Sequence, residues 1–156
     1  MTDVQKNTTP PGSGLEAGDW TEIEDRERYA LLGFLQMCIE RRFHKAIQQR
    51  FESVTGLGPT DYWIHADVGG SPKMRYQEKA PDYCSTKVRF MGWSAHGSTC
   101  GGFRAGDSDE FILAQLKNTL QEKVKKYPGI THHGFFAYEA RSSHVMVLHL
   151  TPTEPG

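Results

Sequence analysis

Residues 29–40, YALLGFLQMCIE, run almost unbroken through apolar side chains until Glu40. A short run with no polar alternation is what a strand covered on both faces requires. Ala, Leu, Gln and Met would also serve a helix, which is the competing reading. The next segment places Phe43, Ala46, Ile47, Arg50, Phe51 and Val54 near helical spacing and stops at Gly56, which predicts a helix. A strand buried on both sides that feeds a helix is the opening of an α/β alternation, and the rest of the chain continues it.

DYWIHADVGG (61–70) is aromatic and β-branched and ends in a Gly pair, so it predicts a strand entering a tight loop. SPKMRYQEKAPDYC, with Pro72 and Pro81, reads as an irregular excursion. TKVRFMGWSAHG (86–97) alternates Val88 and Phe90 with Lys87 and Arg89 and predicts a further strand. Asp107 and Glu110 have the spacing of a capping box. They open EFILAQLKNTLQEKVKKY, where Ile112, Leu113, Leu116, Leu120 and Val124 form an apolar stripe. Lys123, Lys125 and Lys126 suit the C-terminal end of its dipole, and Pro128-Gly129 ends it. HHGFFAYEA and SHVMVLHL, joined by RSS, predict an antiparallel hairpin. The order implies an α/β fold: a mostly parallel, doubly wound sheet flanked by helices, closed by a C-terminal antiparallel hairpin.

The chain of 156 residues is the size of one domain. Residues 1–25 read as a flexible or draped arm, rich in Thr, Pro, Gly and acidic groups, with only Val4, Leu15 and Trp20 to anchor it. Residues 26–152 form the single expected domain. Eighteen basic and 19 acidic residues are interspersed to a net charge of −1, so no basic field marks a nucleic-acid partner. No leader pattern and no spanning apolar run occur, so the expectation is a cytoplasmic protein without a membrane partner. Cys38, Cys84 and Cys100 cannot all pair with one another. Reduced thiols or metal ligands are the reading for such a chain.

In doubly wound sheets ligands collect beyond the carboxyl ends of the strands, where the chain order reverses. Cys38 ends the first expected strand and His96 the third, and these places are neighbours if the two strands are adjacent. Cys100 follows His96 closely, with Gly97, Gly101 and Gly102 around it to let the loop turn. Two thiols and an imidazole suit zinc, whose catalytic sites take three protein ligands and leave a position for water.

With these residues in place the chain resembles the β-class carbonic anhydrases, most closely a short, divergent branch. That family carries Cys-x-Asp-x-Arg at the end of its first strand, matched here by Cys38, Glu40 and Arg42. It carries His-x-x-Cys-Gly after its third, matched by His96 and Cys100 with one residue more between them. The Gly pair in ADVGG and the late hairpin extend the resemblance over roughly residues 29–151. It implies a β-carbonic anhydrase-like fold, Zn2+ held by Cys38, His96 and Cys100, and Glu40 and Arg42 as the catalytic pair. It further implies hydration of CO2, or attack on COS or CS2, by hydroxide formed on the zinc, with His44 or His65 as proton carriers. A homodimer or higher homo-oligomer is implied as well. Cys38, Glu40 and Arg42 would share one face if all three continued the strand. The longer Glu40 side chain and the extra residue before Cys100 favour the alternative, a non-catalytic zinc-binding or regulatory interaction module on the same fold.

Other groups have plainer readings. Cys84 reads as structural or simply free. Adjacent His132 and His133 point to opposite faces of a strand and cannot easily share an ion. His144 and His149 are read as non-ligating, and Asp67, beside Gly69-Gly70, as a turn residue or a pocket-lining one.

Overall fold

The computed structural model describes residues 14, 16–73, 78–97, 103 and 106–152. Five strands form one sheet in the order β2-β1-β3-β4-β5. β1 (Gly33–Cys38) is an interior strand, β2 (Tyr62–Asp67) lies on one side of it, and β3 (Phe90–His96), β4 (Thr131–Arg141) and β5 (His144–Leu150) lie on the other. β1, β2, β3 and β4 are parallel, and β5 returns antiparallel to β4 as the hairpin predicts.

Helices cover both faces. α1 (His44–Thr55) packs Ile47 and Phe51 on Leu35, Met37, Tyr62 and Phe135. On the other face α2 (Lys79–Ser85) and α3 (Asp109–Lys126) enclose Phe34, Met91, Trp93 and Phe136 with Ile112, Leu116 and Leu120. All six residues of β1 are buried, which is why the strand reads as an unbroken apolar run. A fully covered Phe or Leu contributes about 1.5–3 kcal/mol of transfer free energy. The mostly parallel, doubly wound fold with its C-terminal hairpin is as the sequence implies.

Several local expectations are corrected. The first strand covers only Gly33–Cys38, and a 3-10 turn over Arg41–Phe43 precedes α1. Cys38, Glu40 and Arg42 therefore do not continue one strand. The excursion after Gly70 is not irregular throughout: Ser71–Lys73 form a 3-10 turn and Lys79–Ser85 a helix, with Pro81 early in α2, where a missing N–H is tolerated. α3 is capped by Ser108, whose Oγ accepts from the Phe111 N–H at 3.1 Å, and not by Asp107. Ser108 stands next to its first helical residue, Asp109, so its hydroxyl outcompetes the expected Asp107 carboxylate for the N3 position.

Candidate metal centre

β1 and β3 are adjacent and parallel, paired from Gly33 with Phe90 to Gln36 with Trp93. From β1 the chain passes to β2 on one side, and β3 stands on the other, so the order reverses between β1 and β3. This is the switch point at which the carboxyl ends leave a crevice. The segment after β2 enters that crevice. A side chain at Gly70 would stand 2.5 Å from the Ser94 carbonyl oxygen and 3.4 Å from the Cys38 nitrogen, and its φ of +66° is left-handed. Both facts demand glycine. The next residue, Ser71, accepts the Ser94 N–H at 2.9 Å, while the Ser94 hydroxyl donates to the Gln36 carbonyl at 2.6 Å. The wedge holds the two strand ends in register with each other.

Cys38 and His96 end the two strands, and both are buried. The His96 ring stacks on Phe43, 4.4 Å between centroids, and its Nδ1–H donates to the Gly97 carbonyl at 2.8 Å. That bond fixes the tautomer and leaves a lone pair on Nε2. Nε2 is itself buried and has no hydrogen-bond partner among the described residues. Buried polar atoms are seldom left so without a reason. Burial works against charge on the ring, yet the Cys38 sulfur and the Gly97 carbonyl beside it outweigh burial and raise its pKa. An imidazole with one nitrogen on a backbone carbonyl and the other bare beside a thiol is the donor set that zinc takes. Cys38 and His96 supply two donors of the kind zinc accepts.

Glu40 accepts the Arg42 N–H at 3.0 Å and meets the Arg42 guanidinium Nε at 3.3 Å. The Arg42 N–H, against slight burial and aided by the guanidinium and by His96, holds the carboxyl below its usual range. Arg42 also reaches Glu139 of β4 at 3.5 Å. Since β3 lies between β1 and β4, the arginine bridges over the end of β3, where His96 sits. Glu40 and Arg42 thus meet through a turn hydrogen bond, not through the alternation of a strand.

The structure brings together Cys38, His96, Glu40 and Arg42; Cys100 lies outside the described residues. Among the described residues, no three His, Cys, Asp or Glu side chains converge as a metal-binding group. The His44 ring donates to the Cys38 carbonyl at 2.6 Å, and His65 is bonded to the buried Gln36 amide. Cys84 is buried in the α3-side core, with its thiol pKa pushed up by burial. His132 and His133 do face opposite ways. His132 accepts from the Trp93 indole at 3.0 Å, and His133 pairs with His149 at 2.9 Å.

Sequence reasoning missed Phe43, Glu139, Ser71 and the reason for Gly97. A Cβ at Gly97 would meet the Asp109 carboxylate, so the glycine also serves close approach there. A signal existed only for the Gly69-Gly70 pair. The others come from distant elements and leave no local pattern.

No family model matches the chain, and no curated protein matches it. Solved structures are similar to it in architecture. A tetrameric β-carbonic anhydrase from the filamentous ascomycete Sordaria macrospora is 15% identical, with 78% of this chain and 82% of that one covered at a TM-score of 0.49. The β-carbonic anhydrase CafA of Aspergillus fumigatus is 13% identical, with 77% and 76% covered at 0.48. A carbonic anhydrase from Glaciozyma antarctica is 14% identical, with 76% and 82% covered at 0.40.

Proposed function

We propose that this protein is a β-carbonic anhydrase-like zinc enzyme that hydrates CO2 or a related small electrophile such as COS or CS2. The observation that carries the reading is the bare, buried Nε2 of His96 beside the Cys38 sulfur at the strand crossover. Cys38, His96 and Cys100 would hold the ion. Zinc, when bound, acts as a Lewis acid that lowers the pKa of water to about 7.

The chain's own residues define what surrounds that chemistry. Arg42 engages Glu40 through both its N–H and its guanidinium, which supports a carboxylate held off the metal and a fourth position left to water. A bidentate-capable guanidinium suits this restraint better than an ammonium would. Glu40, kept ionised by Arg42, would accept a hydrogen bond from a proton-bearing oxygen. Phe43, stacked on His96, excludes solvent from the ligand side. The same reading includes a homo-oligomer in the cytoplasm; no helix among the described residues is long and apolar enough to cross a membrane.

Two measurements test this. Elemental analysis should find near-stoichiometric zinc in the native protein and its loss in Cys38→Ser and Cys100→Ser. Stopped-flow CO2 hydration should be present in the native protein. Arg42→Ala should keep its zinc yet lose about 10–100-fold in kcat/KM, the usual effect of removing a group that orients a metal site's partners. A fully zinc-loaded protein without hydration activity would leave the metal assignment standing and overturn the enzyme.

A further inference from the structure

β4 is 11 residues long, and β3 beside it has 7. Their pairing ends with His96 opposite Ala137, so β4 carries on past the carboxyl end of β3. On the α1 side of β4 the alternation reads Phe135, Ala137, Glu139, and the first two are buried in the cluster that holds Phe43. A carboxylate therefore continues a face that is apolar up to that point. The ladder with β5 shifts register between Glu139 and Arg141. Such a bulge re-aims the side chains beside it and is over-represented next to active sites. Glu139 is half-buried there, with Oε2 3.5 Å from Nη1 of Arg42.

The Arg42 guanidinium meets Glu40 through Nε at 3.3 Å and Glu139 through Nη1, and its Cζ lies 5.1 Å from the centroid of the Phe43 ring. Phe43 in turn stacks on His96. The contacts with Glu40 and Phe43 are local, because these residues belong to one 3-10 turn and its cap. A local pair can swing as a unit, since its members share the same stretch of backbone. Glu139 comes instead from a strand of the sheet, and groups on such elements are held more precisely than groups on turns. Stability does not account for the contact. The two side chains are 46% and 33% exposed, and ion pairs so exposed add little. Orientation does account for it. Two carboxylates on different nitrogens of one planar guanidinium fix its rotation, and with it the edge that faces Glu40.

We propose that Glu139 is a positioning residue for the Glu40–Arg42 pair: it anchors the Arg42 guanidinium to the sheet and so keeps Glu40 turned from the metal position. Its consequence for catalysis rests on the zinc reading, whereas the anchoring itself does not.

Glu139→Ala and Glu139→Gln test the anchor with three readouts on the full chain. The first is solvent exchange of the Arg42 Nε–H, followed by NMR in the protein as isolated. Exchange should be about tenfold faster in Glu139→Ala than in the native protein, the lower end of what an orienting partner supplies. Glu139→Gln should fall between them, because its amide oxygen still accepts from Nη1. The second is the visible spectrum of the cobalt-substituted protein, which reports an anion entering the open position. Thiocyanate should shift the native spectrum. Glu139→Ala should lose that shift as Glu40 turns to the metal, and Glu139→Ala with Glu40→Ala should regain it. A merely structural defect would not be repaired by a second truncation. The third is CO2 hydration: kcat should fall about tenfold with KM unchanged, and adding Glu139→Ala to Arg42→Ala should cost nothing further. Unchanged exchange, a thiocyanate shift kept in Glu139→Ala, a lost shift that Glu40→Ala does not restore, or additive losses with Arg42→Ala would each overturn the proposal. A native protein that takes up no metal would overturn the zinc reading instead and leave the exchange rates to decide Glu139. One that holds metal without hydrating CO2 would overturn the enzyme and leave the exchange and the spectra to decide it.

Discussion

Gly70 shapes the crevice between the ends of β1 and β3, although it contributes no side chain. Its left-handed backbone lets the loop after β2 slip between the ends of β1 and β3, and a methyl group there would press on the Ser94 carbonyl. Gly70→Ala combines left-handed strain with a backbone collision. It should cost about 2–4 kcal/mol of stability in urea unfolding. The same variant, folded at low temperature, should bind zinc more weakly, because Cys38 shares the displaced backbone. Native-like unfolding of Gly70→Ala would show that the wedge is incidental. The Gly pair was legible as a tight loop, but the crevice that requires it was not, since Ser94 and Cys38 lie far away in sequence.

At the scale of elements, the segment between β2 and β3 is tied down by buried charge. Glu78, just before α2, bonds the Lys123 ammonium of α3, which is buried and lies 5.1 Å over the Trp93 ring. Glu78 also takes Lys126 at 2.7 Å and the Tyr127 hydroxyl at 3.2 Å, and Asp82 of α2 accepts from Tyr127. Burial raises the Glu78 carboxyl, but Lys123 and Lys126 outweigh it and lower its pKa. Glu78→Gln leaves the Lys123 ammonium buried without its counter-charge, so it should cost about 3–5 kcal/mol. Glu78→Gln with Lys123→Met should recover much of that loss in thermal unfolding, because no charge is then stranded. Equal losses in the single and double variants would refute a charge-based clasp. From the sequence, Lys123 belongs to a C-terminal lysine cluster that suits the dipole; only the tertiary packing puts it inside.

Across the whole molecule, the histidines of β4 and β5 couple the fold to acidity. Burial, with the neighbouring His149 and His132, lowers the His133 pKa to about 4, and burial lowers His132 and His149 as well. These rings are neutral in the fold and take up protons when it opens. The unfolded chain binds more protons between about pH 6.5 and 4, so stability is fully present above that window and falls as pH falls through it. For His133 alone the loss by pH 4 is on the order of 3 kcal/mol. Urea midpoints measured from pH 7 to pH 4.5 should fall steadily, and His133→Asn should flatten the slope. A pH-independent midpoint would contradict the neutral pair.

Read from residues alone, the chain determined its fold class, the order of its strands and of α1 and α3, and the chemical types at the ends of β1 and β3, while α2 and the adjacency of those two strands came from the structure. Those features rest on local periodicity and on the rule that buried strands lose their polar alternation, and both are written within a dozen residues. Tertiary structure decided what no window could contain: that Arg42 extends to Glu139, and that Gly70 wedges the crevice open. The same holds for Lys123, turned inward from a lysine cluster. Each of these is a contact between groups distant in sequence. Its energy depends on burial and close approach, which exist only once the sheet and its helices have packed.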